Sequence, residues 1–431
     1  MLNNTKFKHS QFQWIGEVPE HWKIIRHKYL FRKDKQIVGG NERDYPVLSL
    51  SIKGVIEKDR EDAFGKIPAK YENYYQIAKE NSILLCLFDM DVTPRLSGYV
   101  NKTGIVSPAY TNLIPLNIKT VNMRFYNYWY LRMDEENLFV QLSNNVRSSI
   151  NANEFMRIFT VHPPMHEQQA IAAFLDHKTS EIDTLITDKE KLIELLKEQR
   201  QAIITEAVTK GLNPDVKMKD SGVEWIGEVP EHWRVSKVKY IAKSLDSKRI
   251  PLSSEERGNM QGDIPYWGAN CIIDYVNDWL IDGEVVLLGE DGAPFFDKNK
   301  NVSFYSNEKI WPNNHVHILR ATKIHSKLLM YILNTVDYSN YIMGSTRDKL
   351  TQSDMKRIAV HLATPLEQQT IANFLDHKTS EIDALITKES TQIEKLKSYR
   401  QSLIYEVVTG KIDVRNWSDK PLERSDTVAN A

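Results

Sequence analysis

Residues able to do chemistry are present in this chain, but none stands in the pattern that catalysis requires. His162–Met165 (HPPM) is the nearest approach to the Asn/Asp-Pro-Pro-aromatic motif of a methyltransferase and lacks both flanking residues. A GxxxxGK[ST] loop, which would cradle nucleotide phosphates, is absent. Glu-x-Lys occurs nowhere, so the carboxylate–lysine pair of metal-dependent nucleases is missing. His315 with His317, and His162 with His166, could in principle share a metal ion. No Cys or carboxylate stands at diagnostic spacing beside them, so a structural role is preferred. Asp176-His177-Lys178 and Asp376-His377-Lys378 have no matching nucleophile, and their place in a helix favours interhelical or partner contacts. The chain reads as a binding protein.

The residues best suited to binding are cationic. Arg147 and Arg347 lie in Ser/Asn/Thr-rich loops at equivalent positions, with Ser345, Thr346 and Lys349 close by in the second loop. A loop salt bridge would explain such an arginine; a phosphate or base contact is its rival. Two further stretches, Lys23–Lys35 and Arg234–Arg249, each carry six Lys/Arg and one Asp. Their recurrence points to a phosphate-facing surface, with Lys28, Arg32, Lys237 and Lys239 as candidates. The formal net charge of -1 hides an uneven distribution. Residues 23–160 hold 20 Lys/Arg against 15 Asp/Glu, and residues 234–360 hold 17 against 15, whereas residues 165–212 hold 6 against 9. That asymmetry permits DNA binding.

The elements that must position these residues are repeated. Glu167–Asp183 (EQQAIAAFLDHKTSEID) returns as Glu367–Asp383, differing only at Ala170/Thr370 and Ala173/Asn373. Apolar spacing predicts helices from about Glu167 to Thr209 and from Glu367 to Thr409, each followed by a glycine stop. A helix of that length is a rod on the order of 65 Å long. The near-heptad positions Leu175, Ile182, Leu185, Leu192 and Leu196 in one copy, and Leu375, Ile382, Leu385, Ile393 and Leu396 in the other, predict that the two helices pack on each other. Ahead of each helix, Asn151–Glu154 and Thr351–Asp354 resemble capping boxes. A second repeat, WIGEVPEHW, stands at Trp14–Trp22 and Trp225–Trp233 and reads as a turn with buried aromatic anchors.

Between the repeats lie two dissimilar mixed α/β blocks. Strands are expected at Pro46–Ser51, Ile83–Phe88, Glu284–Leu288 and Val316–Leu319, and more weakly at Tyr99–Val106. The aromatic run Phe125–Tyr130 and the pair Tyr266–Trp267 are expected in the core. The resulting division is a first block over 1–164, a helix over 165–212, a polar linker and second block over 213–364, a second helix over 365–412, and a disordered tail over 413–431. Two distant cysteines, Cys86 and Cys271, argue against a disulfide framework. No apolar run approaches the roughly 20 residues of a membrane span. A soluble, cytoplasmic protein is expected.

Two unlike, mildly basic blocks, each followed by a near-identical helix beginning EQQ, resemble the specificity subunit of type I restriction-modification systems. WIGEVPEHW, EQQxIAxFLDHKTSEID, Ile264–Gly268 (IPYWG) and Gly283–Ala293 (GEVVLLGEDGA) carry the resemblance. It implies an α/β (mixed α+β) fold: two globular target-recognition domains joined by two long antiparallel helices that form a coiled coil with pseudo-twofold symmetry. It also implies double-stranded DNA as ligand, each block reading half of a split site. Two modification (methyltransferase) subunits and the restriction subunits would be partners. S-adenosylmethionine, ATP and Mg²⁺ would belong to those partners, and this chain would bind no cofactor. The rod length would match about two DNA turns. Rival readings are a methylation-only phage-exclusion specificity protein, a coiled-coil adaptor that never meets DNA, and a nuclease in its own right.

Overall fold

A computed structural model of the chain describes residues 6–59, 74–143, 148–342 and 348–417. It forms two compact units: Met1–Thr187 with Ile393–Ala431, and Asp188–Gln392. The long helices, Met165–Lys210 and Pro365–Val408, contribute residues to both.

In the first unit one antiparallel sheet runs in the order Phe31–Lys33, Thr111–Pro115, Ser82–Leu85, Ser97–Val100. A second runs Gly54–Lys58, Val47–Ser51, Gly104–Val106, Gln76–Ala78. The run Ile83-Leu84-Leu85 is apolar at every position because both of its faces are covered. Ile83 and Leu85 join the core around the helix Met123–Glu135, while Leu84 packs with Leu48, Ala78 and Val106 from the second sheet. That helix carries the aromatic run, and Phe125, Tyr126, Trp129 and Tyr130 are all fully buried.

The second unit repeats the plan with different residues. Ala242–Ser244, Val316–Ala321, Val285–Gly289 and Ser303–Ser306 form its antiparallel sheet in the same order. Val286 and Leu288 face the core of the helix Ser326–Leu333, and Val285 and Leu287 face the other way. A three-stranded sheet, Ile272–Val276, Gln261–Trp267 and Trp311–Pro312, completes it. Tyr266 and Trp267 are buried, as expected. The strand expected at Tyr99–Val106 is two, Ser97–Val100 and Gly104–Val106, lying in different sheets.

Within each unit the long helices run antiparallel. In the first, Asp183 pairs with Arg400 at 2.9 Å, and Ile182 and Leu175 share a core with Leu403, Ile404 and Val407. In the second, Arg200 pairs with Asp383 at 2.9 Å, and Ile204 and Val208 share a core with Ile371 and Leu375. Leu175, Ile182, Leu375, Ile382 and Ile393 are buried, and Leu196 and Leu396 partly so. Leu185, Leu192 and Leu385 are not: they are 50%, 43% and 45% exposed and are no part of the seam. The reason is rotational. From Ile182 the buried stripe steps eleven residues to Ile193, and Leu192 sits about 100° away from Ile193 around the helix. The repeat itself points to Ile193, the counterpart of the buried Ile393.

The expected disordered tail is also corrected at its start. Val414 is buried, and the Trp417 ring meets Phe174 edge-on at 5.5 Å. Both are large apolar side chains with a groove within reach. Residues 418–431 lie outside the described residues. Among the described residues no helix is long and apolar enough to cross a membrane.

Candidate nucleic-acid interface

Each α/β block is held on the helices by the repeated side chains. Glu167, in the first turn, accepts hydrogen bonds from Trp22 Nε1 at 2.8 Å and pairs with His21 Nε2 at 2.7 Å. Glu367 does the same for Trp233 and His232, at 3.3 and 2.9 Å. Burial pushes the Glu367 carboxyl up, but hydrogen bonds from Thr364, His232 and Trp233 outweigh it and hold the group down at about 2. The His-Trp end of WIGEVPEHW is thus the anchor for the Glu of EQQ. The next residue ties in the block's own helix: Gln168 accepts from Asn122 N and Gln368 from His325 N, both at 2.8 Å. Both donors are N-cap residues.

Two turns further on, Asp176 and Thr179 take the Tyr128 hydroxyl at 2.9 and 3.1 Å; Asp376 and Thr379 take Tyr331 at the same distances. A cation completes each cluster, Arg124 on Asp176 and Lys327 on Asp376. Asp176 and Asp376 therefore hold their own recognition block and not the other long helix. Hydrogen bonds to charged groups contribute roughly 1.5–3 kcal/mol each, so these contacts fix each block's orientation.

In each block, backbone hydrogen bonds hold the described residues just after the candidate arginine. Arg147, Ser345, Thr346 and Arg347 lie outside the described residues. In the first unit Met90 N donates to Ser148 O at 3.1 Å and Ile150 N donates to Leu87 O at 2.8 Å. In the second, Gly292 N donates to Asp348 O at 3.4 Å and Leu350 N donates to Glu290 O at 2.7 Å. Asp89 and Ser148 both hold positive φ, 45° each, at a position where side chains disfavour it. Such local strain concentrates at working sites. Of the two expected capping boxes, Asn151–Glu154 forms one, whereas Thr351 only caps Asp354 N, because the shorter Asp354 side chain bonds the Thr351 hydroxyl and not its backbone N–H.

Beside Leu350 lies a buried ionic cluster. His317 Nδ1 meets Asp246 at 2.7 Å and its Nε2 meets Leu350 O at 2.8 Å. Burial pushes the Asp246 carboxyl up, but hydrogen bonds from His317, Ile318 N–H and Gln352 outweigh it and hold the group well below the usual carboxylate range. Glu290 joins through Arg249 and through Lys349, whose Nζ is 3.1 Å away. His315 contacts Asp291 at the rim. Lys349 is half exposed, and the partly buried Glu290 carboxylate braces it. The predicted phosphate contacts Lys28, Arg32, Lys237 and Lys239 are all exposed, and none makes an ion pair among the described residues.

Residues 230–395 match the family model for the type I restriction modification DNA specificity domain. Over 93% of its length the chain is 26% identical to the type I restriction enzyme MjaVIII specificity subunit of Methanocaldococcus jannaschii, covering 95% of that protein. The chain is similar to type I restriction enzyme specificity subunits. A shorter match, 34% identical over 142 residues, is to a putative specificity subunit of Haemophilus influenzae, spanning 36% of that protein. The fold agrees with a solved chain of a type I R-M system, with a TM-score of 0.67 at 14% identity over 92% of this chain and 99% of that one. The HsdS subunit from Thermoanaerobacter tengcongensis aligns over 94% of this chain and all of its own length, with a TM-score of 0.50 and 14% identity.

Sequence reasoning missed the docking residues Tyr128, Tyr331, Arg124 and Lys327. A signal for the anchor existed: the His-Trp pair and the Glu of EQQ repeat together, once per half.

Proposed function

We propose that this chain is the DNA sequence-specificity subunit of a type I restriction-modification system and has no catalytic role of its own. The observation that carries the reading is the contrast within the fold. Two blocks of like topology dock on identical side chains of two repeated helices, while the cores beside Phe155 and Leu350 differ. A scaffold that repeats while its readers diverge is what a split, asymmetric DNA sequence demands.

Each block reads one half of that sequence, with Arg147 and the Ser345–Arg347 and Lys349 loop as base readers. The paired helices set the gap between the halves. Two modification subunits dock on them, and restriction subunits join that assembly. Side chains identical in both copies, outward-facing and unused in holding the blocks, suit two identical partners: Lys178, Glu181 and Leu185, with Lys378, Glu381 and Leu385. The partners supply S-adenosylmethionine, ATP and Mg²⁺ chemistry, in the cytoplasm where the DNA is. Mapping methylated adenines across the genome, with and without this gene, tests the proposal. Loss of one split motif is expected; an unchanged map would contradict it.

A further inference from the structure

Between WIGEVPEHW and EQQ the two blocks share little, yet one exposed dipeptide recurs. Lys28-Tyr29 and Lys239-Tyr240 stand the same distance beyond the two copies of WIGEVPEHW. Each sits on a single turn, His27–Tyr29 and Val238–Ile241, after the strand that pairs with the segment leading to the long helix. The turns are pinned alike: His27 N donates to Ile158 O and Val238 N donates to Ile358 O, both at 3.0 Å. Residues on either side are buried in both units, His27 and Leu30 in one, Val238 and Ile241 in the other.

The tyrosines between them are 64% and 59% exposed, so packing does not account for their recurrence. In each, the neighbouring lysine ammonium lies over the ring, at 4.9 and 4.7 Å. Among the described residues neither phenol has a hydrogen-bond partner. Neighbouring in sequence are the exposed Arg32 and Lys33 in the first unit and the exposed Lys237 and Lys243 in the second.

A surface feature that both blocks keep while their readers differ suits something common to both half-sites. The sugar-phosphate backbone is the part of DNA that does not change with sequence. We propose that Lys28 with Tyr29, and Lys239 with Tyr240, form two equivalent backbone clamps, one per half-site, in which ammonium and phenol hydroxyl donate to phosphate oxygens. This rests on the specificity-subunit reading above.

The test uses the full chain, a randomised duplex library and binding measured across a salt series. The variant combines Lys28→Gln, Tyr29→Phe, Lys239→Gln and Tyr240→Phe, all at exposed positions. Expected are about tenfold weaker binding, a salt slope shallower by roughly 1.8 for two lost phosphate contacts, and an unaltered selected sequence. Unchanged affinity and slope would overturn the proposal, and so would a changed selected sequence, which would mean base contact. Intact DNA binding with lost co-purification of a methyltransferase subunit would assign the surface to protein instead. If the wild-type chain enriches no sequence while the variant still loses salt-dependent binding, the specificity reading falls and the clamps stand.

Discussion

The two units are alike where they meet the helices and unlike where they meet whatever they read. On the helix side, Glu167 and Glu367, Gln168 and Gln368, and Asp176 and Asp376 each find the same kind of partner. Beside Phe155 and Leu350 the solutions part. The first unit fills the space beside Ala152–Phe155 with rings: His27 stacks on Phe155 at 4.4 Å, and Tyr130 lies across both. In the second unit, polar and charged side chains occupy the region beside Leu350: Asp246, His317, Glu290, Arg249 and Lys349. The contacts that seat each block on the helices are thus separate from the residues that fill its core beside Phe155 or Leu350.

The largest effect should come from the shared anchor. Trp22→Ala and Trp233→Ala each remove a fully buried ring and should cost about 3–5 kcal/mol. Hydrogen exchange should show lost protection in the mutated unit. Equal loss in both units from one substitution would break the comparison. Asp246→Ala should come next, at about 3 kcal/mol or more, because it leaves the buried His317 cluster without its carboxylate. That loss belongs to the second unit; matching loss of protection in the first would contradict the contrast drawn above.

Acid should treat the units alike. His27 and His361 are buried, one in each unit, and burial lowers both to about 4. In the unfolded chain they titrate near 6.5. Their neutral burial therefore favours folding fully above pH 6.5, and the benefit is lost as pH falls from 6.5 toward 4, by roughly 3 kcal/mol per histidine. Stability measured by denaturant across that window should fall in wild type. His27→Gln and His361→Gln should each flatten the slope, and an unaltered slope in both would count against this cause. Smallest are the docking phenols. Tyr128→Phe and Tyr331→Phe should cost about 1.5 kcal/mol each, with equal melting shifts.

Much of this was legible in the chain. The long helices, the buried Phe125–Tyr130 run and the capping residues Asn151 and Thr351 follow from local periodicity and chemistry. Leu185, Leu192 and Leu385 were misplaced because a heptad template drifts around a real helix, and an eleven-residue step carries the stripe from Ile182 to Ile193. The links from Trp22 to Glu167 and from Tyr128 to Asp176 join residues far apart in sequence, where no periodicity reports them. The buried cluster at His317 was hidden for the same reason, since Asp246, Glu290 and Lys349 come from three separate segments.

The central claim is that each block reads its own half of one DNA sequence. Replacing residues 23–160 with the corresponding block of another specificity subunit, and then mapping methylation, tests it most directly. A new first half joined to an unaltered second half at the same spacing is expected. A change in both halves would contradict it.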